Sequence, residues 1–245
     1  RGVERSRFSV HVESEVTGES LLVDFSPDFR QQFLDNDVDL PDAGVVTHIH
    51  FDHLDGLGNT YRLFDHLPVY AGNETDPRTD ESVAETVERK YHYLDALDVR
   101  PTAPFEPIET CGLEVTFVPV DHPPLLCYGL SIRDPETGGH LALSGDTSYG
   151  LGADSRDILR GADLFLVDGI VPASNTKYHP LGGAHHDDAG VARTFGDKHM
   201  TIEGARDLAA DLGVDTHRLV HLSHYIPVER AFEADMAVDG ETFRL

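Results

Sequence analysis

Three histidines and an aspartate fall between His48 and His53, within the run Thr47-His48-Ile49-His50-Phe51-Asp52-His53-Leu54-Asp55-Gly56. On an extended backbone His48 and His50 point the same way and can share one metal ion. Asp52 and His53, where the chain turns towards a helix, reach for a second ion beside the first. Imidazole and carboxylate donors suit zinc, manganese or iron. Neither a packed core nor a solvated face calls for four ligand-type residues at this spacing. The bland alternative is a histidine-rich exposed loop, so the residues downstream must supply the context that separates the two.

The elements around this run are legible from periodicity. Gly44-Val45-Val46, just before it, reads as a buried strand. Leu113 to Val120 is a strand that ends in Asp121-His122, which places His122 as a third ligand of the first ion. Tyr128 to Ile132 and His140 to Leu143 form the next pair, and the second runs into Ser144-Gly145-Asp146-Thr147, a carboxylate at a tight turn. Ala162 to Asp168 is a buried strand. Thr201 caps a helix from Ile202 to Leu212, with His199 just ahead of it, and His221 ends a strand from His217 to Leu222.

Elsewhere, Phe8 to Glu13 and Leu21 to Phe25 make a hairpin, and Ser26-Pro27-Asp28 caps a short helix. Leu54 to Phe64 reads as a helix broken by Gly56 and Gly58, Pro68 to Tyr70 as a strand, and Glu81 to Leu94 and Ala153 to Leu159 as helices. Val238 to Leu245 reads as a closing pair of strands. The stretch 169–198 is the least readable: Gly182-Gly183 is a candidate hinge, and His185 and His186 are assigned to a mobile loop. His11 is expected at the surface, His66 and His92 at the surface or half-buried, and His140 is expected to be structural.

Composition narrows the partners. The chain of 245 residues carries 44 acidic against 19 basic residues, a formal charge of −25, and Lys90, Lys177 and Lys198 are its only lysines. Such a charge repels nucleic-acid backbones and anionic membranes. With the acids spread along the chain, it suits a surface adapted to high salt. No apolar run approaches the roughly 18 residues of a membrane helix, and no signal peptide is apparent. Cys111 and Cys127 are too few for a disulfide framework and are expected buried and reduced, which favours the cytoplasm. No repeat or linker interrupts the chain, so a single domain is expected. It opens on Arg1 rather than methionine, so its natural beginning is expected to lie upstream.

The His48–His53 run resembles the signature of the metallo-β-lactamase superfamily. The nearest likeness is to its PhnP-type phosphodiesterases, with tRNase Z beside them. Ser6-Arg7-Phe8-Ser9, 22–33, 47–57, 122–129, Asp146-Thr147, His199-Met200-Thr201 and His221-Leu222-Ser223-His224 look like that branch, in order. The resemblance implies an α/β fold, the four-layer αβ/βα sandwich, and two divalent ions about 3.5–4 Å apart with an activated water between them. It implies His48, His50, His122 and Asp146 around one ion and Asp52, His53, Asp146 and His221 around the other, Asp146 bridging. His199 becomes the general acid or phosphate contact, Asp52 acts in catalysis as well as binding metal, and His224, Thr147 and Lys198 are candidate substrate contacts, with Lys177 and Arg193 as further phosphate candidates. The expected substrate is a small cyclic or nucleotide-like phosphodiester; a homodimer is compatible with the resemblance.

No cysteine stands at a ligand position, unlike many β-lactamases of the superfamily. The gap between His122 and Asp146 is too short for the tRNA-gripping arm of tRNase Z. The stretch 169–198 is longer than the branch usually shows. A lactone, ester or thioester hydrolase, a tRNase Z-like nuclease, and a non-hydrolytic metal protein remain as alternatives.

Overall fold

The computed structural model describes residues 4–180, 184–186 and 188–245. They form two compact units: residues 6–117 with 132–138, and residues 118–131 with the described residues of 139–245 and with Glu4 and Arg5.

The first unit is built on β1 (Val10–Glu13), β2 (Ser20–Val23), α1 (Phe29–Asn36), β3 (Ala43–Val46), α2 (Phe51–Leu54), β4 (Leu67–Gly72), α3 (Val83–Lys90), β5 (Leu97–Thr102), β6 (Ile108–Thr110) and β7 (Leu113–Pro119), the last two residues of β7 crossing into the second unit. β1 and β2 form the expected antiparallel hairpin, and β2, β3, β4 and β5 continue the sheet in parallel. Parallel strands are covered on both faces and so read as unbroken apolar runs; Leu21-Leu22-Val23 and Val45-Val46 are at most 1 % exposed. Ser82 starts α3 with a capping box, its hydroxyl accepting from the Glu85 amide at 3.1 Å while Glu85 accepts from the Ser82 amide at 2.7 Å. Val83, Ala84 and Val87 then face the core.

Three expectations need correction here. The stretch 54–64 is not a broken α-helix: α2 spans four residues and continues as a 3₁₀ helix, Asp55–Thr60. Glycine favours neither form, and Gly56 packs so tightly on the Ser26 carbonyl that a Cβ there would lie 1.8 Å from its oxygen. Asp28 stands at the N-cap of α1 without capping through its side chain; Ser26 Oγ instead accepts from the Asp28 amide at 3.2 Å. His11 is half-buried rather than superficial, its ring edge-on to Phe33 with centroids 5.9 Å apart. Burial holds its pKa below the ordinary histidine value.

The second unit carries β8 (Tyr128–Arg133, whose last two residues belong to the first unit), β9 (His140–Leu143), α4 (Ala153–Leu159), β10 (Leu164–Asp168), β11 (Ala184–His186), β12 (Ala192–Phe195), β13 (His199–Met200), α5 (Ile202–Asp211) and β14 (His217–Val220). Strands run in the order β14-β10-β9-β8, with β9, β10 and β14 parallel and Phe165 opposite both Ala142 and His217. Val118, Phe165, Val167, Leu208, Leu212 and Leu219 anchor one apolar core. Thr201 caps α5 by accepting from the Gly204 amide at 3.0 Å, and Glu203 lies in its first turn, favouring the dipole.

The stretch 169–198 is more ordered than expected. A 3₁₀ helix, Ala173–Tyr178, precedes a three-stranded antiparallel sheet, β11-β12-β13, so His185 and His186 belong to a strand rather than a loop. The candidate hinge at Gly182-Gly183 lies outside the described residues. The closing hairpin at 238–245 is also absent; that stretch has no strand, and one isolated bridge joins Leu219 to Met236 just before it. His140 is buried with Nε2 2.9 Å from Ser131 Oγ, the structural role expected. Both cysteines are buried thiols. No described helix is long and apolar enough to cross a membrane.

Candidate metal centre

The first unit gathers its donors at the ends of β2 and β3. After Val46 the chain leaves the sheet, and His50 stands at the N-cap of α2 with extended backbone (φ −61°, ψ 147°). This places His48 Nε2 3.0 Å from His50 Nδ1, while His48 Nδ1 lies 3.1 Å from Thr47 Oγ1. His48 and His53 are buried. Asp52 is one quarter exposed, its Oδ2 3.8 Å from His53 Nε2.

One buried carboxylate organises this set. Asp24, just beyond β2 and in left-handed backbone at φ 60°, accepts from the Thr47 amide and from the Thr47 hydroxyl at 2.8 Å each, and lies 2.6 Å from His53 Nδ1. Backbone bonds tie the same corner together: the Phe25 amide donates to the His53 carbonyl, and the Gly56 amide to the Phe25 carbonyl. With Nδ1 of His53 turned to Asp24, Nε2 is the nitrogen left to face Asp52.

The second unit repeats the device. His122, buried beyond β7, has Nδ1 2.8 Å from the Lys198 carbonyl. Asp146 follows β9, and His221 follows β14 in left-handed backbone at φ 56°, its Nε2 3.3 Å from Asp146 Oδ2. Asp168, at the end of β10, is buried and accepts from the Thr147 amide at 3.0 Å. Its Oδ2 lies 2.8 Å from His199 Nδ1 and its Oδ1 3.9 Å from His221 Nδ1. Burial pushes the Asp168 carboxyl above its ordinary pKa, with the His199 imidazole acting the other way. His199 is stacked on His221 (centroids 5.0 Å, planes 14° apart) and edge-on to His122 at 5.0 Å. Donor atoms of Asp146, His199 and His221 all lie within 4.8 Å of one another.

Both donor sets fit divalent ions by the same observation. A histidine that binds metal through one nitrogen is held in orientation by a carboxylate or carbonyl at the other. His53 and His122, one from each set, have such a partner, in Asp24 and the Lys198 carbonyl.

The sequence-expected residues therefore fall into two groups. His48, His50, Asp52 and His53 come together in the first unit; His122, Asp146, His199 and His221 come together in the second. Among the candidate substrate contacts, His224 is exposed with its ring 4.2 Å from that of Tyr225. Lys198 is half-buried. Thr147 is buried, its hydroxyl donating to the Ser148 carbonyl at 3.0 Å and accepting from the Asp121 amide at 3.1 Å. Arg193 pairs with Asp207 at 2.6 Å, and Lys177 lies over the Tyr178 ring. Asp24 and Asp168 are the functional residues that sequence reasoning missed. Each is an aspartate closing an apolar strand, Leu-Leu-Val-Asp and Phe-Leu-Val-Asp, a signal shared with ordinary turns.

Comparison with known proteins identifies the family and the fold. The β-lactamase superfamily domain matches residues 19–224. A diphosphatase of the PhnP family has a similar fold, with a TM-score of 0.72 and 26% identity over 96% of this chain and 82% of that one. Zinc-bound PqqB from Methylobacterium extorquens superposes with a TM-score of 0.73 at 22% identity (98% and 88% covered), and the short form of human tRNase Z with 0.68 at 17% (96% and 91%). In sequence the chain is 28% identical over 240 residues to an octanoyltransferase of Porphyromonas gingivalis, covering 92% of this chain and 41% of that relative's length. The α/β fold expected of the metallo-β-lactamase type is thus present, and it carries His/Asp clusters suited to divalent metal.

Proposed function

Because this chain belongs to the β-lactamase superfamily, we propose that it is a metal-dependent phosphodiesterase acting on a small cyclic or nucleotide-like phosphodiester. In this reading the two units work as one domain. His48, His50, His122 and Asp146 hold one divalent ion, zinc, manganese or iron, and Asp52, His53, Asp146 and His221 hold the other. When bound, such a pair makes water nucleophilic at neutral pH and polarises the phosphoryl oxygen.

The observation that carries the reading is the Asp168–His199 pair. With Nδ1 fixed 2.8 Å from Asp168, His199 offers Nε2 as the atom that holds a proton for the departing alkoxide. Lactone and thioester hydrolysis makes less demand on such an acid. Asp52, partly open to solvent, is the carboxylate to take up the proton that the attacking water loses. The likeness to a PhnP-family diphosphatase along nearly the whole chain supports phosphoryl chemistry. The acid-rich surface supports a saline cytoplasm as the working medium.

An acyl-ester or thioester hydrolase is the second reading, favoured by the likeness to an octanoyltransferase. That protein is more than twice as long, so its named activity transfers weakly to this chain. Metal analysis of protein purified without added metal, followed by assays on bis(p-nitrophenyl) phosphate and on a lactone and thioester panel in molar salt, separates the two. Turnover of the acyl panel alone overturns the diesterase reading.

A further inference from the structure

The mechanism leaves unused a chain of rings in the second unit. His179, just after the 3₁₀ helix Ala173–Tyr178, is edge-on to Phe195 (centroids 4.8 Å) and to Tyr225 (4.9 Å). Tyr225 in turn meets the ring of His224 at 4.2 Å. Phe195 is fully buried and forms a small core with Ile170 and Val171, against which Tyr225 packs. Asn175 Nδ2 donates to the Tyr225 carbonyl at 3.3 Å, joining the 3₁₀ helix to the 221–226 loop. The result is a wall of rings beginning three residues beyond His221, at His224, and reaching back into the stretch 169–198.

Its position relative to the catalytic residues is set by backbone. The Ile170 amide donates to the Met200 carbonyl, the Ile202 amide to the Val171 carbonyl, and the Ser223 amide to the Ile170 carbonyl. The strands holding His199 and the loop holding His221 are therefore fastened to the start of the segment that carries His179.

We propose that His179 and Tyr225 receive the uncharged organic arm of the substrate, a planar or hydroxyl-bearing group such as a nucleoside, while the scissile phosphodiester lies at His199. This rests on the phosphodiesterase reading. The chemistry of the wall selects that arm over a second phosphate. Burial keeps the His179 imidazole below its ordinary pKa and so neutral near pH 7. Two cations of the same segment are engaged elsewhere, Arg193 with Asp207 and Lys177 over Tyr178. A neutral imidazole can hydrogen-bond a hydroxyl, and a tyrosine ring can pack against a planar group.

The test compares thymidine 5′-(p-nitrophenyl phosphate) with methyl p-nitrophenyl phosphate, which share a leaving group and differ in the second arm. His179→Phe keeps the ring packing and removes the polar nitrogens. With unchanged metal content and thermal midpoint, it is expected to raise KM for the nucleoside diester about tenfold, leave kcat within about twofold, and leave the methyl diester untouched; loss of one substrate hydrogen bond sets that scale. Equal effects on both diesters, or none, overturn the assignment. Titration of thymidine 5′-monophosphate onto metal-loaded wild-type and variant protein gives a second readout. If the wild type cleaves neither diester, the diesterase reading fails on its own; a nucleotide Kd that the substitution leaves unchanged then overturns the role of His179 separately.

Discussion

Asp24 Oδ2 lies 2.6 Å from His53 Nδ1, and the same buried carboxylate takes both the amide and the hydroxyl of Thr47. One side chain therefore fixes the ring of His53 and the entry of the backbone into His48. Asp24→Asn preserves shape, and asparagine tolerates the φ of 60° at this position. It loses the anionic acceptor. Metal affinity is expected to fall about 10- to 100-fold, the usual cost of removing such an orienting partner, with the circular-dichroism spectrum unchanged. Competition with a chelator of known affinity measures it, and an undiminished affinity would remove Asp24 from the metal-binding apparatus.

His199→Ala is expected to retain metal but to lower kcat on diesters by about 10²- to 10⁴-fold, the range of general acid–base catalysis. The loss should be greatest for alkyl leaving groups and least for p-nitrophenolate, which departs without help from a proton. A uniform loss across leaving groups points instead to a phosphate contact.

Gly56→Ala forces a Cβ to within 1.8 Å of the Ser26 carbonyl oxygen, in the corner that carries His53. The backbone must move. A destabilisation of about 2–4 kcal/mol is expected, at the upper end of overpacking effects, with weaker metal retention. Gly58, whose nearest side-chain neighbour would be 3.5 Å from the added methyl, serves as control. Urea melts of Gly56→Ala and Gly58→Ala decide it, and equal midpoints refute the steric account.

His11 gives a pH dependence with a definite sign. Its folded pKa is lowered by burial, so the unfolded chain binds the proton more readily than the folded one. Stability from this residue is complete above the unfolded value of about 6.5 and is lost as pH falls from there through the folded pKa. His11→Leu should flatten that part of the profile. Wild-type and variant protein, both chelated and melted between pH 5 and 8, provide the comparison, in which the titration of the other histidines cancels. Parallel curves would show that His11 contributes nothing to the acid limb.

Much of this architecture was readable before any coordinates. His48–His53, His122, Asp146 and His221 combine unusual residue types with strand ends, and α4 falls on Ala153–Leu159 as expected. What escaped notice depended on contacts distant in sequence. Asp24 and His53 are bonded across 29 positions and Asp168 and His199 across 31, and nothing local distinguishes such aspartates from turn residues. β5 contains Pro101 and alternates with charged residues, which disguises a strand paired on one side only. The strands β11 to β13 are two to four residues long, too short for periodicity to speak. Asp239-Gly240 has the residue types of a strand-joining turn, but Gly240, at φ 77°, turns a segment that pairs in no ladder among the described residues.

Two of the residues discussed above, Asp24 and His221, stand in left-handed backbone immediately beyond strands. That conformation is costly for branched side chains and mild for asparagine and aspartate. For the ion site proposed at His221, retuning its preference thus meets a short menu: aspartate trades nitrogen for oxygen without disturbing the chain path, while valine, isoleucine or threonine would bend the very loop that the exchange is meant to exploit.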